Sequence, residues 1–101
     1  MTNFDIIVWR SQHDTYSAQL MQYDIYAEGE SIDSALENLE FSILGENAYC
    51  ETYKLPLSSI GKPPNINFDI YQTKVEMENA RADKISELLF GRDKAKLLFV
   101  E

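Results

Sequence analysis

The sequence predicts an α+β fold, a mainly antiparallel sheet with one helix packed across it, and three observations carry that expectation. Short runs rich in β-branched and aromatic residues fill the start of the chain, a long stretch of one-face helical spacing follows at 31–44, and further extended and helical runs alternate to the C-terminus. The predicted order is βββαβαβ. With 101 residues, 45% hydrophobic and 12% aromatic, the chain holds the apolar material for a single domain over 1–101.

Each element has its own reason. Residues 4–9, Phe-Asp-Ile-Ile-Val-Trp, contain nothing that breaks a strand and read as one buried on at least one face. After the polar turn Gln12-His13-Asp14, residues 16–20 alternate Tyr16, Ala18 and Leu20 against Ser17 and Gln19, so the two runs read as a hairpin. A third extended run at 23–27 is ended by Gly29, read as a turn residue with access to positive φ. The first helix is predicted over 31–44: Ser31 caps it, Ile32, Ala35, Leu36, Leu39 and Ile43 share one face, and Gly45 supplies a stop. Residues 46–65, with Pro56, Pro63, Pro64 and Gly61, read as a long connection that Tyr49, Tyr53, Leu55 and Leu57 fasten to the core. Alternation at 66–71 predicts a half-buried strand. A second helix is expected over 79–90, with Ile85, Leu88 and Leu89 inward and Gly91 closing it, and a short last strand at 97–100.

Charge is distributed unevenly. The first 50 residues carry nine acids against Arg10 alone, whereas the remainder has eight residues of each sign, so the whole formal charge of −8 belongs to the first half. That balance argues against direct binding to nucleic acid or anionic lipid, whose phosphates require a basic surface. It suits steering toward a basic protein partner; the plain alternative is a solvated surface that keeps a small domain apart from its neighbours. No run approaches the roughly 18 apolar residues of a membrane span. The N-terminus lacks the basic and apolar regions of a signal peptide, and the expected location is cytoplasmic.

Catalytic constellations are not evident. His13 is alone in a predicted turn, and the single Cys50 reads as a small buried hydrophobe, with neither a disulfide partner nor a thiolate zinc cage. Glycines 29, 45, 61 and 91 are spread singly, which leaves no phosphate-cradling loop. The acid pairs Glu28 with Glu30 and Glu37 with Glu40 leave a degenerate metal-dependent hydrolase as one open reading, but a helix face rich in acids accounts for them more simply. No cofactor or metal is expected, and the chain is read as not an enzyme.

The stretch Tyr16-Ser17-Ala18 followed by Glu28-Gly29-Glu30-Ser31 and Ala35-Leu36-Glu37-Asn38-Leu39 resembles the HicB family of antitoxins, over about residues 4–71. The resemblance implies the βββαβ order and a non-catalytic module that neutralises a small basic mRNA-cleaving toxin. Two departures limit the transfer. The family's Asp-x-Pro-Gly-Cys segment is replaced by Gln19-Leu20-Met21-Gln22-Tyr23, and residues 72–101 form an atypical helix–strand extension in place of a DNA-binding appendage. The expected partner-binding residues are Glu28, Glu30, Asp33, Glu37 and Glu40, which would take up Lys or Arg sites that otherwise hold phosphate. A homodimer is compatible with exposed sheet edges. A small acidic phage-type inhibitor that mimics nucleic acid against a host nuclease or defence complex is the alternative within the same chemistry.

Overall fold

Five strands and two α-helices are described in a computed structural model of the chain, over residues 4–11, 13–65 and 70–101. Strands β1 (Ile6–Arg10), β2 (Tyr16–Leu20) and β3 (Tyr26–Gly29) form an antiparallel meander. Helix α1 (Ile32–Tyr53) follows, then a 3-10 turn at Leu57–Ile60, strand β4 (Lys74–Met77), helix α2 (Ala80–Phe90) and strand β5 (Leu97–Val100). The sheet order is β3-β2-β1-β5-β4. Strand β5 enters between β1, to which it is parallel, and β4, to which it is antiparallel. Three of the four strand interfaces are therefore antiparallel, and the α+β class and mainly antiparallel sheet are as the sequence predicts.

Strand alternation divides the sheet into two faces. Ile6, Val8, Ala18, Leu20, Ala27 and Leu97 face the helices and pack on Ala35, Leu36, Leu39, Ile43, Ala82 and Ile85. Ile7, Leu98 and Val100 face the other way, with Trp9, Met21 and Tyr71 against them. Strand β1 is thus buried on both faces. The same holds for β2: Ser17 and Gln19, the polar half of its alternation, are 1% and 2% exposed. Gln19 is satisfied there because Nε2 donates to the Leu20 and Ile25 carbonyls, and Ser17 Oγ lies 2.8 Å from the Tyr26 hydroxyl. Alternation on β2 therefore records which face each residue takes rather than whether that face is wet.

The main departure from expectation is the length of α1. It continues through Gly45 to Tyr53, so residues 46–53 are helix and not connection. A lone glycine costs a helix only about 0.5–1 kcal/mol relative to alanine, too little to stop a segment whose other residues favour helix. The stop comes at Lys54, in the left-handed region at φ 55°, two residues before Pro56. A Cβ on Gly45 would meet nothing within 4 Å. Gly45→Ala is therefore expected to stabilise the fold by about 0.5–1 kcal/mol, read as a rise in the denaturant midpoint at unchanged slope; a fall would show that the helix needs a glycine there.

Other elements shift less. The third strand starts at Tyr26 rather than 23, and the first at Ile6 rather than 4. The strand expected at 66–71 lies for its first four positions outside the described residues, while Ile70 and Tyr71 belong to no strand; the strand of this region is β4, three residues further on. Helix α2 begins as expected, with Asn79 Oδ1 accepting from the Arg81 and Ala82 amides, and closes on Gly91 at φ 65°. Its buried face is Ala82, Ile85 and Ser86, whereas Leu88, expected inward, is exposed. Ser86 is accommodated because its hydroxyl donates to the Lys94 carbonyl as the chain returns along α2 toward β5.

Candidate functional site

The junction between β3 and α1 holds the acids singled out in the sequence. Ser31 caps the helix, its Oγ accepting from the Ser34 amide at 3.0 Å, and Ser34 Oγ accepts in turn from the Glu30 amide at 3.1 Å. Asn38, one turn further on, donates to the Glu28 carbonyl at 2.7 Å and ties the end of the strand to the helix. Gly29 lies between these bonds. Its φ is not positive, so the turn role expected of it is replaced by a steric one, the close approach of β3 to the first turn of α1.

The five predicted partner-binding acids fall on β3, the turn after it and the first half of α1, and meet different surroundings. Glu30 is exposed, and its carboxylate makes no bond among the described residues. Glu28 accepts a 2.5 Å hydrogen bond from the Tyr26 hydroxyl; partial burial first, and then this bond, raise the Tyr26 pKa above its ordinary value. Asp33 accepts from Asn79 Nδ2 at 3.0 Å, so the cap residue of α2 reaches the first turn of α1. Glu37 and Glu40 share Arg81 of α2, at 3.9 and 3.7 Å. Glu40 is turned into the seam between the helices, where its Oε2 is buried with no hydrogen bond and only the longer ionic contact to Arg81. Glu28, Glu30, Asp33 and Glu37 remain exposed to an approaching molecule.

The second half of α1 adds what sequence reasoning missed. Residues 32–53 contain five carboxylates and neither Lys nor Arg, and between Arg10 and Lys54 the chain has no such cation at all. Glu46 and Glu51 make no ion pair among the described residues. Phe41, Leu44, Tyr49 and Tyr53 are exposed on the same helix, although the two tyrosines were expected to fasten a loop to the core. Cys50, expected at the start of a loop, is a buried residue of this helix, 4% exposed, and so has the small-hydrophobe role read for it. The signal was available: apolar residues at 41, 44 and 48 continue a helical spacing past Gly45.

Elsewhere the chemistry is sparse. A groove of about 550 Å³ on the second face of the sheet is lined by Trp9, Gln19, Asp24, Tyr26, Lys62 and Pro64, but the Gln19 amide is already committed to backbone carbonyls. Among the described residues no three His, Cys, Asp or Glu side chains converge as metal ligands, and none of the helices is long and apolar enough to cross a membrane. His13 is exposed in the β1–β2 turn. No protein-family model, curated protein or solved structure matches the chain.

Proposed function

We propose that this chain is a non-catalytic protein-binding inhibitor, a HicB-like antitoxin-type module that neutralises a basic nucleic-acid-processing protein through its acidic surface. The observation that carries the reading is the 43-residue interval between Arg10 and Lys54, free of Lys and Arg, which folds into β2, β3 and α1 and so collects its carboxylates on neighbouring elements. On its α2 side Arg81 and Asn79 engage that surface. Carboxylates exposed on a rigid helix and strand end can replace phosphates in the Lys and Arg sites of a nuclease, and their field speeds the encounter. Covering the partner's substrate surface is then sufficient for inhibition, and no bond need be made or broken.

The test reverses charge where it costs the fold least. Glu30→Lys with Glu37→Lys changes two exposed positions, neither of which has a hydrogen-bonded carboxylate, and is expected to preserve the cooperative unfolding transition. Affinity capture from lysate at low and high salt is expected to yield a basic RNA- or DNA-processing protein with the native chain. The variant should bind that protein about tenfold more weakly or worse, with a flatter salt dependence. Equal capture by both chains at both salt concentrations would sink the charge reading.

A further inference from the structure

Helix α1 is longer than the sheet it packs on. Its 22 residues span about 33 Å at the α-helical rise, whereas strands of four or five residues span about half of that. The overhang is visible in the buried set, since Ala35, Leu36, Leu39 and Ile43 all lie in the first twelve residues and only Cys50 is buried beyond them. On the side turned away from the core, Phe41, Leu44 and Ala48 follow at spacings of three and four, and on a flank of the same helix the Tyr49 and Tyr53 rings meet at a tilt with centroids 4.7 Å apart. Phe41 and Tyr53 are each 62% exposed, a large apolar area to leave in water on a helix that ordinary stability does not require to be this long.

We propose that this outer face of α1, centred on Phe41, Leu44 and Ala48, is a docking seat for a basic amphipathic helix of the partner. The proposal rests on the protein-binding reading above and names the kind of segment bound. Charge decides the occupant. The seat is bordered by Glu37 one turn before Phe41 and by Glu51 two turns after Leu44, and the helix itself contributes no cation to oppose a basic segment. A helix with leucine-like side chains at i, i+3 and i+4 and Lys or Arg at its margins matches both the apolar stripe and the carboxylate rim. A second copy of this chain matches only the stripe, because two α1 helices laid together on it would bring the Glu37 and Glu51 carboxylates of each toward the other with no cation on either helix to offset them.

The experiment uses the full chain, isotopically labelled, and a synthetic amphipathic helix of about 18 residues made of leucine and lysine, long enough to be helical when bound. The same pattern with glutamate in place of lysine is the control. Amide shifts on adding the lysine peptide are expected at 37–53 and not at the β3–α1 junction. Phe41→Gln with Leu44→Gln, both exposed and both helix-compatible, is expected to weaken binding at least about tenfold while circular dichroism stays unchanged. Binding that survives this double substitution, equal binding of the glutamate peptide, or self-association of the native chain through the same residues would each overturn the seat. Lysate capture with the native chain and the Glu30→Lys, Glu37→Lys variant tests the protein-binding reading separately, and a failed seat with a salt-sensitive basic protein still captured would overturn the seat alone.

Discussion

Gly29→Ala is expected to destabilise this protein by about 3 kcal/mol or more, a large share of the roughly 5–15 kcal/mol that holds a domain of this size folded. The argument is geometric. A Cβ on Gly29 would stand 2.4 Å from the Ala35 amide nitrogen, 2.5 Å from Ser34 Oγ and 2.6 Å from the Ser34 carbonyl carbon. Two of these three atoms are backbone of the first turns of α1, so no side chain can rotate away to make room for both. Relief requires the helix to move off β3, and every bond at that junction opposes the movement: Asn38 to the Glu28 carbonyl, the Glu30 amide to Ser34, and the Ser34 amide to Ser31. Movement also opens the layer in which Ala27 packs with Ala35, Leu36 and Leu39. Thermal unfolding is expected to fall by more than about 12 °C. The same chemical change at Gly45 is expected to have the opposite sign, because a methyl group there meets open space inside a helix. A Gly29→Ala protein within about 0.5 kcal/mol of the native chain would mean that β3 and α1 are not in the close contact described.

This pair of glycines shows where the sequence can be read and where it cannot. Elements with a local signature were legible: Tyr16–Leu20 by alternation, α2 by its apolar spacing and Gly91 stop, and Leu97–Val100 by its apolar run. The two errors on glycine share a cause. Gly29 and Gly45 look alike in a string of letters, since each follows an amphipathic run, yet one is demanded by a neighbour in space and the other by nothing. Strand β4 was missed for a related reason. Lys-Val-Glu-Met is a weak strand on propensity alone and owes its state to pairing with β5, where Val75 lies opposite Phe99. Tertiary pairing of that kind leaves no mark within the segment itself.

The candidate site was legible as charge but not as geometry. Counting acids locates them in the first half, and helical spacing places Asp33 and Glu37 on the outer face of α1. Nothing in the local sequence says that α2 would return to set Asn79 against Asp33 and Arg81 against Glu37 and Glu40, because those partners are more than forty residues away. The recognisable Gly29-to-Asn38 motif is also accounted for by folding: the glycine admits the helix, Ser31 and Ser34 cap it, and Asn38 clamps the strand. A motif that builds a junction is a weaker pointer to function than one whose residues the fold does not need, and the exposed Phe41, Leu44 and Tyr53 are of that second kind.

Asp5 is the acid that counting misassigned, and Asp5→Ala is the second large effect expected. It was one of nine in the acidic half, but it is 3% exposed and serves the fold. Its Oδ1 accepts from Arg92 Nη2 at 2.6 Å and from Gln22 Nε2 at 2.8 Å, and its Oδ2 accepts from the Lys96 amide at 2.9 Å. One carboxylate thereby joins the start of β1, the β2–β3 turn and the loop that delivers β5 into the middle of the sheet. Alanine would take the acceptor from the Lys96 N–H and the Gln22 amide in a part-buried site, at up to about 1–3 kcal/mol for each group so stranded. Arg92 adds less to this cost, because its side chain is 47% exposed and can turn to water. A total of about 3 kcal/mol is expected for Asp5→Ala. Arg92→Ala should cost less, since the carboxylate keeps its two other donors. The double variant is expected to be more stable than the sum of the two losses predicts, by about 1 kcal/mol or more, the sign of direct coupling. Amide exchange gives the local reading: in Asp5→Ala the Lys96 amide should lose protection first, ahead of the β1–β2 ladder. Additive losses together with a protected Lys96 amide would show that β5 is held in the sheet by strand pairing alone, with Asp5 a bystander.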